Sequence, residues 1–337
     1  MTRKPSPHPS TQPPGLLACL HTKRGYWVTL TQMRAATGLS QHALDKQIAH
    51  LQSAGYVIEC HPRLGYALME VPDRLLPDEV QRGLNTRLIG REVITFERTS
   101  STMDVAWRLA QSGAREGTVV FAEAQTQGRG RMGRAWLCPE HSGILMSVIL
   151  RPHIRVEHVS LLTLTAAIAA AEAIQKTTSV VTHIKWPNDL VLKDKKLGGV
   201  LVEARPLGRR WPVFVLGIGL NVNLGATDMP GDIRRLATSL QIAAGRRQDR
   251  IEIARALISS LEAWYGLLRD GKVEHIADAW RERAPLLGQR LLVEKDGTQY
   301  RGTILDFSPT DGLVLRLEGG AIKVLRGEQV VVSQENG

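Results

Sequence analysis

Apolar positions near the start of the chain repeat at helical spacing in short blocks, which predict three short helices followed by a hairpin over residues 16–70. Ser40 has a side chain that can cap the third helix. The apolar face of that helix would consist of Leu44, Ile48 and Leu51, at spacing i, i+4, i+7. Helix, glycine turn, capped helix and hairpin in this order are typical of a winged helix-turn-helix.

Polar residues on the third helix and at the tip of the hairpin are the candidate DNA contacts of this unit. They are Ser40, Gln41, His42, Lys46 and Arg63. Residues 1–70 contain seven basic and three acidic residues, which favours contact with phosphate. Asp45 lies on the same predicted face and would repel phosphate. A vestigial helix-turn-helix that mediates protein contacts and represses no gene therefore stays open as the alternative.

Between residues 78 and 283, helical and alternating patterns mix without the regular succession of a doubly wound fold. They predict strands at 93–96, 118–124, 144–150, 181–185, 189–192, 197–203 and 212–223, and helices at 103–112, 157–176 and 250–269. The resulting prediction is an α+β domain built on a mixed sheet. The longest apolar run, 161–174, is shorter than the ~20 residues that span a bilayer, so it predicts a buried helix and no membrane partner.

Both ends of the chain have patterns of their own. Short alternating strands at 290–294, 300–306, 313–317 and 321–326, with glycine turns between them, predict a small β-barrel over residues 285–333. The first 15 residues are rich in proline and lack the apolar region of a signal peptide. We expect residues 1–15 to be a disordered leader.

The composition favours anionic partners and argues against several kinds of site. The 337 residues carry a net charge of +10, which makes phosphate the first candidate ligand. The three cysteines have neither disulfide nor zinc spacing, which fits a reducing cytoplasm. No H-E-x-x-H, G-x-S-x-G or G-x-x-x-x-G-K-[ST] motif occurs, so no protein metal site is predicted. Electrostatic positioning of a phosphorylated substrate is the chemistry that these observations favour.

The most informative segment is G-R-G-R-M-G-R at residues 128–134. It matches G-x-G-x-x-G formally, but no helix is predicted directly after it, so we reject a dinucleotide-binding fingerprint. Its glycines allow backbone amides to approach an anion, and Arg129, Arg131 and Arg134 add fork-shaped donors that match phosphate oxygens. We expect a phosphate-binding loop, with a flexible basic surface loop as the alternative.

Two further segments follow this loop along the chain. K-W-P-N-D at residues 185–189 places a lysine, a large ring and two polar side chains around a proline-fixed bend, an arrangement that can orient a ligand at a strand end. Gly217 and Gly219 lie within a predicted strand, where glycines mark the close approach of backbone or ligand. Structural packing is an equally good explanation for these two glycines.

Five segments, taken in their order and spacing, resemble the biotin protein ligases. They are S-T at 101–102, G-R-G-R-M-G-R at 128–134, K-W-P-N-D at 185–189, K-L-G-G at 196–199 and G-L-N at 219–221. Together with the N-terminal unit, the chain resembles the bifunctional bacterial form, which is both biotin ligase and biotin operon repressor. The resemblance implies a ligase domain similar to class II synthetases and lipoate ligases, followed by an SH3-like C-terminal domain.

The resemblance also implies a two-step reaction with biotin, ATP and Mg²⁺. The carboxylate of biotin attacks the α-phosphate to give biotinyl-5′-AMP and pyrophosphate, and a lysine of the biotin carboxyl carrier protein of acetyl-CoA carboxylase then takes the biotinyl group. The implied catalytic residues are Lys185, Arg129 and Arg131. The implied biotin-binding residues are Ser101, Thr102, Met103, Gln125, Arg129, Gly130, Arg131 and Lys185, and the implied nucleotide-binding residues are Arg134, Trp136, Lys196 and Asn221.

A cytoplasmic protein that binds operator DNA as a homodimer, when the adenylate is bound, is a further implication. Two residues depart from the family pattern: Met103 stands where asparagine is frequent, and Met132 where another basic residue is frequent. Three arginines remain in the loop, so we still expect ligase activity. Two alternatives stay open: a lipoate ligase of the same architecture, and a transcription factor whose ligase-like region only senses a ligand.

Overall fold

The computed structural model describes residues 15–207, 211–284, 287–295, 297–308, 312–325 and 331–333. The chain divides into two compact units, the first ending at Asp73 and the second beginning at Arg74. Apart from Gly15, the predicted leader lies outside the described residues. The same holds for Pro285, where the predicted barrel would begin, and for Arg326 in its fourth predicted strand.

The first unit contains the three helices and the hairpin that the sequence predicts. They are α1 (Leu16–Thr22), α2 (Leu30–Thr37), α3 (Gln41–Ser53), β1 (Val57–His61) and β2 (Gly65–Glu70). The predicted cap of α3 is confirmed, because Ser40 Oγ accepts a hydrogen bond from the Ala43 amide. Leu44 and Ile48 are buried and Leu51 is half-buried, so the predicted apolar face of α3 packs into the core of the unit.

The second unit is built on a seven-stranded mixed sheet. Its strands are β3 (Val93–Thr99), β4 (Val119–Gln125), β5 (Gly143–Leu150), β6 (His183–Lys185), β7 (Asp189–Leu192), β8 (Lys195–Pro206) and β9 (Pro212–Asn221). In space the order is β3-β4-β5-β9-β8-β7-β6. β3 and β4 are parallel, and all other neighbours are antiparallel. The predicted mixed sheet is confirmed.

Helices cover and connect these strands. They are α4 (Pro77–Gln81), α5 (Thr102–Gln111), α6 (Val159–Thr178), α7 (Gly231–Leu236), α8 (Leu240–Ala244), α9 (Arg250–Arg269) and α10 (Val273–Arg281). The three helices that the sequence predicts are α5, α6 and α9, and their ends differ from the prediction by at most two residues. The other four have nine residues or fewer, too few turns for a clear helical period.

The apolar helix α6 lies in the core of this unit. By length and composition it could cross a membrane, but 72% of its apolar window is buried inside the protein. It packs against α9 and the sheet. The prediction that the apolar run forms a buried helix is therefore confirmed.

The C-terminal part of the second unit is a five-stranded antiparallel sheet. Its strands are β10 (Arg290–Lys295), β11 (Thr298–Ser308), β12 (Gly312–Leu317), β13 (Ile322–Leu325) and β14 (Val331–Ser333), in the order β13-β12-β11-β10-β14. Within the described residues, β13 and β14 do not pair, so the sheet is open and the predicted barrel is not confirmed. Arg281 of α10 holds this sheet through Asp306, at 2.8 Å between Nε and Oδ1.

A buried ion pair ties α9 to the central sheet. The side chain of Arg250 is fully buried, and its Nη1 donates to Glu123 Oε2 on β4 at 2.7 Å and to the Gly143 carbonyl on β5 at 3.0 Å. The other carboxylate oxygen of Glu123 accepts from the Leu75 amide at 2.7 Å. One contact therefore joins a helix, two strands and the beginning of the unit.

We expect Arg250→Met to lower the free energy of unfolding by about 3–5 kcal/mol, because the substitution leaves the buried Glu123 carboxylate without its cation. Urea denaturation followed by circular dichroism measures the change. The control is Arg246→Met, at an exposed arginine close by in the chain, which should change the free energy by less than about 0.5 kcal/mol. Equal urea midpoints for the two variants would contradict the role of the pair.

Candidate active site

A cavity of about 410 Å³ lies where the segment 128–137, the beginning of α5 and strands β8 and β9 meet. Its volume is within the usual range for ligand sites. All residues that the sequence assigns to biotin or nucleotide line this cavity: Ser101, Thr102, Met103, Gln125, Arg129, Gly130, Arg131, Arg134, Trp136, Lys185, Lys196 and Asn221. The five candidate DNA contacts belong instead to the first unit. The fold thus brings the twelve residues together, while their individual roles stay predictions.

One wall of the cavity is formed by the beginning of α5 and the end of β4. Ser101 caps α5, with its Oγ accepting from the Met103 amide at 3.3 Å. Gln125 Oε1 accepts from the amide of Thr102 at 2.7 Å and from its hydroxyl at 3.1 Å. Because these bonds use the oxygen of Gln125, they fix the side-chain amide, and its Nε2 has no partner among the described residues. A donor is therefore available for a carbonyl group of a ligand.

The segment 128–134 forms a narrow loop with a paired base and a tight tip. At the base, the Trp136 amide donates to the Gly128 carbonyl at 2.9 Å, and the Gly130 amide donates to the Arg134 carbonyl at 2.7 Å. The tip is a single 3₁₀ turn in which Met132 has φ of 55°. A Cβ at Gly128 would lie 2.6 Å from the Trp136 carbonyl oxygen, so the base requires glycine there. As predicted, no α-helix follows the loop.

Cations approach the cavity from three elements. Arg131 Nη1 donates to Asn188 Oδ1 at 3.1 Å. Lys196 Nζ lies 2.7 Å from Asp189 Oδ1. Half-buried Lys185 precedes the cis Trp186–Pro187 peptide, and its ammonium has no hydrogen-bond or ionic partner within the described part of the chain. Lys185 is therefore a cation that an anionic ligand could pair without displacing a carboxylate.

Arg129 differs from the other cations because two carboxylates hold it. Its Nη1 lies 2.8 Å from Asp104 Oδ1, and its Nη2 lies 3.1 Å from Glu203 Oε1. Burial lowers the pKa of Arg129, but hydrogen bonds to Glu203 and Asp104 outweigh burial and leave the pKa above its ordinary value. The guanidinium is charged at all relevant pH values.

The glycines of β9 make room for side chains of the cavity wall. A Cβ at Gly219 would lie 2.6 Å from the ring of Trp136, and a Cβ at Gly217 would lie 2.9 Å from Met103 Sδ. Packing therefore explains both glycines. Lys196 Nζ lies 5.7 Å from the centroid of the Trp136 ring, within the range of a cation–π contact.

Two buried polar atoms at this end of the cavity lack partners. Trp136 Nε1 and Asn221 Oδ1 form no hydrogen bond with any described residue, although Asn221 Nδ2 donates to the Thr238 carbonyl at 3.1 Å. Buried donors and acceptors are normally paired, so these atoms are candidates for ligand contacts. Trp136 Nε1 is a donor and Asn221 Oδ1 is an acceptor, so the two atoms match a heterocycle that offers one acceptor and one donor.

Asn188 and Asp189 are the two polar side chains of the K-W-P-N-D segment, which the sequence predicts to orient a ligand. They line the cavity next to Arg131 and Lys196. Two other residues of the cavity wall have no such signal in the sequence. Ile233 and Leu236 come from α7, a helix of six residues that gives no periodic signal. Leu236 lines the cavity although it is 72% exposed. No motif surrounds it in the sequence, so the sequence does not mark it as a site residue.

Residues 95–223, which contain most of the cavity wall, match the model of the Biotin/lipoate A/B protein ligase family. The chain is 35% identical over 289 residues to the Bifunctional ligase/repressor BirA of Bacillus subtilis, covering 86% of this chain and 89% of the relative. It is 34% identical over 269 residues to the Biotin--[acetyl-CoA-carboxylase] ligase of Mycobacterium tuberculosis, covering 77% and 97%. The fold is similar to the solved biotin protein ligase from Aquifex aeolicus in complex with biotin and ATP, with a TM-score of 0.64, 26% identity, and coverage of 73% and 100%.

Proposed function

The chain belongs to the biotin protein ligase family, and we propose that it joins biotin to a lysine of a carboxyl carrier protein through biotinyl-5′-AMP. The chain is an enzyme of the biotin–[acetyl-CoA-carboxylase] ligase type. The observation that carries the two-step reaction is a single cavity in which a polar wall faces a group of cations. Such a site suits a neutral ring system at one end and reacting anions at the other.

In the first step, the biotin carboxylate attacks the α-phosphorus of ATP. A carbon–oxygen–phosphorus anhydride forms, the bond to the β-phosphate oxygen breaks, and pyrophosphate leaves. Ser101, Thr102 and Gln125 hold the ring system of biotin, beside the backbone of Met103 and Gly130. Two anions must meet in this step, so cations have to offset their repulsion and the charge that develops on the phosphate. Lys185, Arg129 and Arg131 are the residues that we assign to this work.

The nucleotide occupies the other end of the cavity, at Arg134, Trp136, Lys196 and Asn221. The orphaned atoms Trp136 Nε1 and Asn221 Oδ1 support this placement, because an adenine offers both an acceptor and a donor. Among the cavity-lining residues, Asp189 is the one carboxylate, and it is paired with Lys196. Mg²⁺ would therefore enter with the triphosphate as its main source of oxygen ligands, since it is bound with few protein carboxylates.

In the second step, the ε-amine of the acceptor lysine attacks the carbonyl carbon of biotinyl-AMP, loses a proton and forms an amide while AMP leaves. The acceptor is the biotin carboxyl carrier protein of acetyl-CoA carboxylase, in the cytoplasm. A lipoate ligase would share this chemistry, and the residues 128–134 and 185–189 favour biotin over lipoate. A ligand sensor without catalysis would have no need of the unpaired cation Lys185.

The experiment that tests the ligase is direct. The protein is incubated with biotin, MgATP and a carboxyl carrier domain, and biotinylated lysine is detected by mass spectrometry. Lipoate in place of biotin is the matched control, and we expect modification with biotin alone. Modification with lipoate alone would show that the chain is a lipoate ligase, and modification with neither compound would refute both activities.

We expect Lys185→Ala to slow formation of biotinyl-AMP by about 100-fold while changing biotin affinity little, because the lost cation faces charge that develops in the transition state. Single-turnover pyrophosphate release and equilibrium biotin binding separate the two effects. Lys196→Ala is measured in parallel, since Lys196 lines the same cavity, and the exposed Lys193→Ala is the control. If Lys185→Ala releases pyrophosphate at the parent rate, Lys185 is not the catalytic cation, and Lys196 is then assigned that role.

We expect Arg131→Ala to release biotinyl-AMP faster than the parent, so that the free adenylate labels bystander lysines. The reason is the position of Arg131 at the tip of the loop 128–134, where its guanidinium can clamp a phosphate. Labelling of serum albumin added to the reaction measures the leak. The exposed Arg108→Ala on α5 is the control. Equal labelling by the two variants would remove Arg131 from the clamp.

A second function is favoured by the first unit: we propose that it is a winged helix-turn-helix that binds operator DNA. Gln41, His42 and Lys46 are exposed on α3 beside the cap Ser40, and Arg63 is exposed in the turn of the hairpin. Asp45 is engaged by the hairpin, because Tyr66 Oη donates to its Oδ1 at 2.7 Å, and this hydrogen bond raises the pKa of Tyr66. Asp45 therefore joins α3 to the hairpin, which explains why a carboxylate stands on a face that would contact phosphate.

One such unit makes few phosphate contacts, so specific binding requires two half-sites and a homodimer formed when the adenylate is bound. We expect gel-shift titration on the chain's own promoter to show tighter binding with biotin plus MgATP than without them. Lys46→Ala should weaken binding, while Lys23→Ala, at an exposed lysine after α1, should not. Weak binding that is equal in both conditions and indifferent to sequence would leave a ligase with a vestigial helix-turn-helix.

A further inference from the structure

Arg129 has a carboxylate partner at each of its three guanidinium nitrogens. Nη1 lies 2.8 Å from Asp104 Oδ1 on α5, while Nε and Nη2 each lie 3.1 Å from Glu203 Oε1 on β8. Arg129 lines the cavity, whereas Asp104 and Glu203 are not among its lining residues. The two acids therefore hold the guanidinium from outside the cavity wall.

This arrangement limits what Arg129 offers to an incoming anion. Arg205 also pairs with Glu203, so the two guanidinium groups and the two carboxylates have a net charge of about zero, and the group attracts an anion less than an isolated cation would. Nε donates a hydrogen bond to Glu203, and Nη1 and Nη2 lie within ion-pair distance of the acids, so part of the donor capacity of Arg129 is already used. Among the three cations assigned to the reaction, Arg129 therefore contributes less net positive charge than Lys185, which has no carboxylate partner in the described chain.

Because Arg129 lies at the base of the loop, the two acids that hold its side chain also hold the loop. Arg129 pairs with Ala135 in the short ladder at the base of the loop, while Arg131 lies at the tip. Asp104 belongs to the same helix as Thr102, which lines the biotin end of the cavity. A contact between Asp104 and Arg129 therefore joins the base of the loop to the helix that would hold the ligand.

We propose that Asp104 and Glu203 are positioning residues that anchor Arg129, and with it the base of the loop 128–134, so that the loop can retain the activated intermediate. The proposal rests on the ligase function given above. It assigns retention to an anchor outside the cavity as well as to the cations inside it.

Glu203 is itself fixed on its other oxygen. Trp107 Nε1 donates to Glu203 Oε2 at 2.7 Å, and Arg205 Nη2 lies 3.4 Å from the same oxygen. The guanidinium carbon of Arg205 also lies 4.5 Å from the centroid of the Trp107 ring. Arg205 is thus part of the same network without a contact to Arg129, which makes Arg205→Gln the matched control.

The test uses the full chain and the shape-conserving variants Asp104→Asn and Glu203→Gln. Biotinyl-AMP is formed in place from labelled biotin and MgATP, and its release is followed after a chase with excess unlabelled biotin. We expect release to be about tenfold faster in each variant, because each loses the negative charge of one ion pair with Arg129. We also expect faster hydrogen exchange of the amides of 128–136 without ligand. Arg205→Gln should stay within about twofold of the parent in both measurements.

A double-mutant cycle separates positioning from general loss of structure. If Glu203 acts through Arg129, Glu203→Gln has no further effect on release in an Arg129→Gln background. Thermal unfolding midpoints of all variants are measured alongside. Additive effects in the cycle would show that Glu203 acts independently of Arg129 and would overturn the proposal.

Two further results have distinct meanings. A parent protein that forms no biotinyl-AMP would refute the ligase function. The hydrogen exchange of the amides of 128–136 without ligand would then be the remaining test of whether Asp104 and Glu203 anchor the loop. A parent that forms the adenylate, with variants that release it and exchange their amides at the parent rate, would leave the ligase intact and overturn the anchor.

Discussion

The contact between Arg250 and Glu123 fixes the beginning of α9 against the central sheet of the second unit. A fully buried guanidinium needs its carboxylate, so α9 can pack in one place against β4 and β5. Glu123 also fixes the Leu75 amide, and two residues further along the same strand Gln125 fixes the beginning of α5. Because residues i and i+2 of a strand share a face, the structural pair and the ligand-facing amide lie on one side of β4.

The cavity depends on this frame, because its walls come from elements that the sheet places side by side. Glycines at 217 and 219 lower the surface of β9, and the side chains of Met103 and Trp136 fill the space. The same strand ends at Asn221, whose buried Oδ1 has no partner in the described residues. A packing requirement and a candidate ligand contact thus lie on one short strand.

The sequence was sufficient for the elements with many turns or clear alternation, such as α9, whose predicted bounds are those observed. The resemblance of its motifs to those of the biotin protein ligases also implied the common location of the site residues. The sequence did not predict α7 or α10, whose patterns are too short. Nor could it predict Asp104 and Glu203 as partners of Arg129, because the contact with Glu203 joins positions 74 residues apart and depends on how α5 crosses the sheet.

The cations of the cavity differ in whether a carboxylate of the protein compensates their partial burial. Arg129 and Lys196 are paired with carboxylates, so their partial burial is compensated within the protein. Lys185 is half-buried without such a partner in the described chain, so an anion can pair with it without breaking an existing ion pair. In the proposed reaction, the charge that develops on the phosphate is the anionic charge that Lys185 pairs. A ligand that binds the folded protein alone stabilises it by RT ln(1 + L/Kd), where L is the concentration of free ligand. Paired cations shape the cavity, whereas Lys185 and Arg134, whose side chains have no partner in the described chain, remain available to an anion.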